Sequence, residues 1–237
     1  MATPADHALA ADLATRAGTL LLAIRARLAA DGAPAALLKH EGDQSSHDFL
    51  MAALAEHRPG DAVMSEEGTA HAVHPDRSGA ERTWIVDPVD GTREYSEPPR
   101  SDWAVHVALV EAGRPTAGAV ALPALDLTLS TVGPPATAGF PPVGTSPRMV
   151  VSRSRPPAEA LAVCAALGGE LVEMGSAGAK AMAVVRGEVD AYVHSGGQYE
   201  WDSCAPVAVA EAAGLHTSRI DGSPLVYNCP DPYLPDL

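Results

Sequence analysis

Along the first thirty residues, Leu9, Leu13, Leu20, Leu21, Ile24 and Leu28 recur at three- to four-residue spacing. That period predicts an amphipathic helix. Its ends are marked as well: Thr3 at the cap, Pro4 at the first helical position, Asp6 in the first turn, and Asp31-Gly32 as the stop. Phe49, Leu50 and Leu54 predict a second helix from about Ser46 to Glu56. The period then shortens. "DAVMSEEG" reads as a short strand running into a polar turn, and "RTWIVDP" as a buried strand. "WAVHVALVEAGRPTAGAVALPALDLTLSTV" reads as a meander broken at "EAGRP" and at Pro123.

From Gly133 to Pro147, "GPPATAGFPPVGTSP" holds five prolines and three glycines, which predicts a linker. Beyond it strands and helices alternate. "RMVVSRS", "ELVEM" and "VDAYVH" read as strands, and Pro156–Leu167, Ala177–Arg186 and "DSCAPVAVAEAAG" as helices, the last ended by Gly214. The chain thus divides into an α+β half over 1–132, a linker over 133–147 and an α/β half over 148–237.

Composition narrows the function classes. The 237 residues suffice for a sizeable core, and with only 4% aromatic residues that core rests on Ala, Val and Leu. Sixteen Lys and Arg against 30 Asp and Glu leave a net charge of −14, which argues against nucleic-acid binding. An anionic substrate would need metal ions or a local basic cluster. Cys164, Cys204 and Cys229 are odd in number and form no C-x-x-C pair, so neither a disulfide framework nor a zinc site is expected. The N-terminal stretch lacks a basic flank before an apolar run, and no run is long enough to cross a bilayer. A cytoplasmic enzyme is the expectation.

Chemistry concentrates in a few segments. In "DPVDGT", Asp87 and Asp90 flank Pro88-Val89, and Pro88 stiffens the turn. Two carboxylates and the Val89 carbonyl suit Mg²⁺, which takes oxygen ligands. The N–H groups from Gly91 onward suit a phosphate. A D-x-x-D turn is also common on surfaces. "SEEG" puts Glu66 and Glu67 at a strand end, where a solvated turn is the plain reading. Asp202 in "EWDSCAP" and Asp43 in "GDQSS" each read first as a helix-capping acid. "VSRSR" and "GSAGAK" place Ser152, Arg153, Ser176 and Lys180 where an anion can bind, or where a basic turn and a helix cap suffice.

The order of these segments is more specific than any one of them. An acid, then E-E, then D-P-x-D-G-T, then a late W-D closely resembles the inositol monophosphatase-like superfamily of Mg²⁺-dependent, lithium-sensitive phosphatases. "DPVDGT" and "WDSCAP" match its two signature regions, and the resemblance covers almost the whole chain. Within it the chain looks most like the CysQ branch of 3′(2′),5′-bisphosphate nucleotidases. Glu94-Tyr95 stands where inositol monophosphatases usually carry Asn-Phe, and "GSAGAK" and "VSRSR" are similar to that branch's segments.

The resemblance implies a layered α-β-α-β-α sandwich. It implies two or three Mg²⁺ ions on Glu66, Asp87, the Val89 carbonyl, Asp90 and Asp202. It implies catalytic roles for Asp43, Glu66 and Thr92, with Asp43 matched by a gapless count back from Pro59 and preferred to Asp48. Substrate contacts would come from Gly91, Thr92, Arg93, Ser152, Arg153, Ser176 and Lys180. The implied reaction removes the 3′-phosphate of 3′-phosphoadenosine 5′-phosphate, a by-product of sulfate assimilation, to give AMP. Inositol monophosphatase or fructose-1,6-bisphosphatase activity on the same fold is the alternative, and a non-catalytic interaction protein is a third reading. Many relatives are dimers, so a homodimer is open; no membrane or nucleic-acid partner is implied.

Overall fold

The computed structural model describes residues 1–68, 77–133 and 145–237. Most of the expected linker, 134–144, lies outside the described residues. Helix α1 spans Pro4–Ala30. The Thr3 backbone N–H and hydroxyl both donate to Asp6 Oδ2, at 2.8 and 2.7 Å, which closes its N-terminus. Gly32, at φ +67°, turns the chain away at the other end.

Helix α2 runs over Ala35–His57, so it begins well before Ser46. Lys39–Ser45 is polar and includes Gly42 and Asp43, poor helix formers that read as a turn. Leu38, Gly42 and Ser46 nevertheless share one buried line at four-residue spacing, and packing carries the helix through them. Asp43 is therefore an interior helical residue, not a capping acid.

The central sheet has the order β1-β2-β3-β4-β5, from strands Ala62–Ser65, Arg82–Asp90, Ala104–Glu111, Arg114–Leu122 and Leu127–Ser130. β1 pairs parallel with β2 and the rest are antiparallel. Alternate residues serve opposite faces. Trp84, Val86, Val105, Val107 and Leu109 pack against Leu13, Leu21, Leu50 and Leu54 of α1 and α2. Ile85, Ala108, Val110, Val120 and Leu122 pack against Trp201, Cys204, Ala205 and Val209 of α6, Glu200–Ala212. Burial on both faces explains the unbroken apolar runs, and each buried Val, Leu or Ile contributes about 1.5–3 kcal/mol. At Gly118 a Cβ would lie 2.7 Å from the Ala208 Cβ, so glycine there lets α6 lie close on the sheet.

A second, parallel sheet has the order β7-β6-β8, from β6 Arg148–Ser152, β7 Glu170–Met174 and a two-residue β8, Ala191–Tyr192. Helix α4, Ala158–Ala166, packs on β6 and β7. Helix α5, Ala177–Val185, lies between the sheets, with Ala183 and Val184 against Val150 and Val172. The layers run α1/α2, first sheet, α5/α6, second sheet, α4, which is the α-β-α-β-α sandwich. Two strands were not anticipated: β9, Ser195–Tyr199, pairs with β10, Tyr233–Asp236. Gly196-Gly197 and Pro235 weaken the strand signal in both segments. Among the described residues no helix is long and apolar enough to cross a membrane.

Candidate active site

Asp87 follows Ile85 on the face of β2 that looks toward α6, and its register partner on β3 is His106. Pro88 has no N–H, so the ladder breaks there and resumes only at Asp90, opposite Ala104. The turn is held internally: Val89 N–H donates to Asp87 Oδ1 at 3.0 Å, and Ser46 Oγ of α2 donates to the Pro88 carbonyl at 2.8 Å. Asp202 arrives from the first turn of α6, where it accepts the Tyr199 N–H at 2.7 Å. It is thus both a capping acid and a site acid. Carboxylate oxygens of Asp87, Asp90 and Asp202 lie within 4.8 Å of one another. Glu66 leaves β1 with its N–H on the Val86 carbonyl at 3.4 Å, and its carboxyl is hydrogen-bonded to that of Asp87.

Such crowding sets the protonation. Burial, then repulsion from Asp202, pushes Glu66 up to about 8. Burial, then Glu66 and Asp90, holds Asp87 well above the usual carboxylate range. Burial, then Asp90, pushes Asp202 up to about 7. Asp90 goes the other way, to about 2: burial raises it, but His106, Lys180 and Ser176 outweigh that. It accepts the Ser176 hydroxyl and the N–H groups of Gly178, at 2.6 Å, and Ala177, at 3.1 Å. These belong to the start of α5, a natural seat for a carboxylate. His106 Nε2 lies 3.2 Å from Asp90 Oδ2, at ion-pair distance but not aligned as a hydrogen bond, and its Nδ1 donates to the Trp201 carbonyl at 2.9 Å. Burial disfavours a charged imidazole, yet Asp90 raises the His106 pKa overall. Gly178 is needed for this contact, since a Cβ there would fall 2.0 Å from His106 Nε2.

The remaining acids must either hold protons or share a cation. The donor set is all oxygen, with the Val89 carbonyl beside it, and this fits Mg²⁺. At its edge Thr92 Oγ1 donates to that carbonyl at 3.1 Å and is also hydrogen-bonded to Asp43. Burial, then Glu67, raises Asp43 to about 7. Gly91, at φ +81°, makes the turn into the four-residue helix α3, Thr92–Tyr95. A Cβ on Gly91 would lie 3.0 Å from that of Ser176.

The fold thus brings together Asp43, Glu66, Asp87, Val89, Asp90, Gly91, Thr92, Ser176 and Asp202. The basic candidates are engaged with protein groups. Arg93 is exposed and pairs with Glu97 at 3.2 Å. Arg153 pairs with Glu94 at 2.6 Å and Glu97 at 2.8 Å. Ser152 Oγ accepts the Arg155 N–H at 3.2 Å. Lys180 is buried, donates to the carbonyls of Gly175, at 3.3 Å, and Ser176, and lies 5.2 Å from the Tyr192 ring centre. Sequence reasoning missed His106, Ser46 and Asp102, which accepts the Gly175 N–H at 2.6 Å. A charge-capable residue alone in an apolar strand was the available signal for His106.

Fold and acidic cluster together define a mixed α/β sandwich carrying a group of carboxylates that could hold a metal ion. The comparisons make the class specific: residues 7–234 match the inositol monophosphatase family, and the chain belongs to it. It is 50% identical over 245 aligned positions to a 3′-phosphoadenosine 5′-phosphate phosphatase of Mycobacterium leprae, covering 98% of this chain and 88% of that one. It is 30% identical to the 3′(2′),5′-bisphosphate nucleotidase CysQ of Escherichia coli, over 81% of this chain and 80% of that one. The crystal structure of CysQ from Bacteroides thetaiotaomicron superposes with a TM-score of 0.75 at 26% identity, covering 96% of this chain and 94% of that one. Inositol monophosphatase-II of Staphylococcus aureus shares the fold, with a TM-score of 0.78 at 21% identity, covering 94% of this chain and 85% of that one.

Proposed function

We propose that this chain is a Mg²⁺-dependent phosphatase that hydrolyses the 3′-phosphate of 3′-phosphoadenosine 5′-phosphate to give AMP and phosphate. The observation that carries the proposal is the cluster of buried Asp87 and Asp90 with half-buried Asp202, oxygens within 4.8 Å, with the Asp43–Thr92 pair at its edge. The names of the relatives supply the substrate. Held by Glu66, Asp87, the Val89 carbonyl, Asp90 and Asp202, two or three Mg²⁺ ions would supply Lewis acidity and a water of lowered pKa.

The chain's own groups do the rest. Asp43 accepts the proton of the attacking water by way of the Thr92 hydroxyl. One hydroxyl proton serves one acceptor at a time, so Thr92, placed between Val89 and Asp43, suits a relay. Amides of Gly91 and Thr92 bind the non-bridging phosphate oxygens. Ser176, at the head of α5, borders the substrate, with Lys180 beneath it. Ser152, Arg153 and the exposed Arg93 are the contacts for the second phosphate, which the two arginines would reach only by exchanging their pairs with Glu94 and Glu97. Three free cysteines fit work in the reducing cytoplasm.

The test is phosphate release with Mg²⁺, with and without Li⁺, from 3′-phosphoadenosine 5′-phosphate, inositol 1-phosphate and fructose 1,6-bisphosphate. The proposal expects the highest kcat/KM on the nucleotide and inhibition by Li⁺. Preference for inositol 1-phosphate would move the assignment to a sugar phosphatase, and no release from any would favour a non-catalytic protein.

A further inference from the structure

We propose that Gly42 and Tyr95 are positioning residues that set the spacing between Asp43 and Thr92. The inference rests on the catalytic reading of that pair. Tyr95 ends the turn that Thr92 begins, and its ring is fully buried. Three sides of the ring are fixed. Its hydroxyl donates to the Leu21 carbonyl of α1 at 3.1 Å. Trp103 meets it edge-on, with centroids 5.0 Å apart at 76°. The Arg25 guanidinium lies 5.8 Å from its centre and 5.5 Å from that of Trp103, and donates to the Glu94 carbonyl at 3.2 Å.

A buried guanidinium with an unpartnered Nε is costly, and here it grips the backbone of α3. The fourth side of the ring faces α2 at Gly42. A Cβ on Gly42 would lie 2.5 Å from Tyr95 Cε1, 3.0 Å from Cζ and 3.3 Å from Cδ1. Only a hydrogen fits there.

Ring and helix therefore meet at contact distance one residue before Asp43. Any larger residue at position 42 moves α2 or the ring by about 1 Å, since carbon atoms settle near ~3.5–4.0 Å. Either movement parts Asp43 from Thr92. The Ser46 bond to the Pro88 carbonyl, one turn further along α2, keeps the far side in place, so the displacement concentrates at Asp43. A misplacement of about 1 Å costs on the order of 100-fold in rate. Alanine is also the better helix former by about 1 kcal/mol, so a loss would not come from a weakened helix.

The experiment compares Gly42→Ala, Gly169→Ala, Tyr95→Phe and Asp43→Asn with the wild type, on 3′-phosphoadenosine 5′-phosphate at saturating Mg²⁺, with thermal melts. Gly169 is as tightly enclosed, with its Cβ position 2.6 Å from the Pro147 carbonyl oxygen and 3.1 Å from Cys164 Sγ of α4, and touches none of the residues that hold the ring. Expected is a kcat loss of roughly 10- to 100-fold for Gly42→Ala at unchanged KM. Gly169→Ala should lower the melting temperature and keep kcat within about twofold. Tyr95→Phe keeps the ring and removes only the bond to Leu21, so it should lose roughly three- to tenfold in kcat; it decides the matter if Gly42→Ala does not fold. If Gly42→Ala keeps wild-type kcat while Asp43→Asn loses it, the positioning proposal is overturned alone. If Asp43→Asn keeps kcat, the catalytic reading of Asp43 fails, and this proposal with it.

Discussion

Asp43→Asn should abolish most turnover and at the same time stabilise the metal-free protein. The carboxyl is pushed from 3.8 to about 7, first by burial and then by Glu67. At about 1.36 kcal/mol per tenfold change, keeping it ionised in the fold costs at most about 4 kcal/mol, and its partial solvent contact screens that to about 2 kcal/mol. The sign follows from the raised pKa. Stability is fully present below 3.8 and is lost as pH rises through about 7. Asparagine keeps the shape and a hydrogen bond to Thr92 without the charge. The variant should therefore match the wild type near pH 4 and exceed it by about 2 kcal/mol at pH 8, read from urea melts in EDTA. Its kcat should fall by roughly 10²–10⁴, the usual contribution of a general base. A variant less stable than the wild type at pH 8, or one with wild-type kcat, would refute the reasoning.

Three further outcomes follow from the same cluster. Asp87→Asn should remove Mg²⁺-dependent phosphatase activity and leave the circular dichroism spectrum unchanged, because burial and its acidic neighbours already disfavour the ionised form that asparagine lacks; near wild-type turnover would sink the metal assignment. Glu66 and Asp202, raised to about 8 and about 7, stabilise the metal-free fold at low pH and lose that contribution as pH rises through those values. Mg²⁺ should therefore raise the melting temperature more at pH 8 than at pH 5. Its binding at pH 7 should also release protons, measured by calorimetry in buffers of different ionisation enthalpy. Equal stabilisation at both pH values, without proton release, would contradict the account.

The acidic turn was legible because its chemistry is local. Pro88 between two apolar residues and two acids can be read without knowing the fold. Glu66 and Asp202 were legible only through the order of motifs, since each alone looks like a solvated or capping acid. Three things were hidden for a common reason, namely that their partners are distant in sequence. His106 meets the Trp201 carbonyl 95 residues away, and Ser46 meets Pro88 across 42. The polar start of α2 looked like a turn because its helicity depends on Gly42 packing against Tyr95. Glu94 and Tyr95, which suggested a nucleotide from the sequence, are both buried. One pairs with Arg153 and the other with Leu21, so the substrate argument now rests on the relatives and not on those two side chains.

The central claim is that this acidic site removes the 3′-phosphate of an adenosine bisphosphate. Its most direct test is to incubate the purified protein with 3′-phosphoadenosine 5′-phosphate and Mg²⁺ and identify the nucleoside monophosphate formed by chromatography. The account predicts 5′-AMP with one equivalent of phosphate, abolished by EDTA. The 3′-monophosphate as product, turnover that persists in EDTA, or no product at all would contradict it.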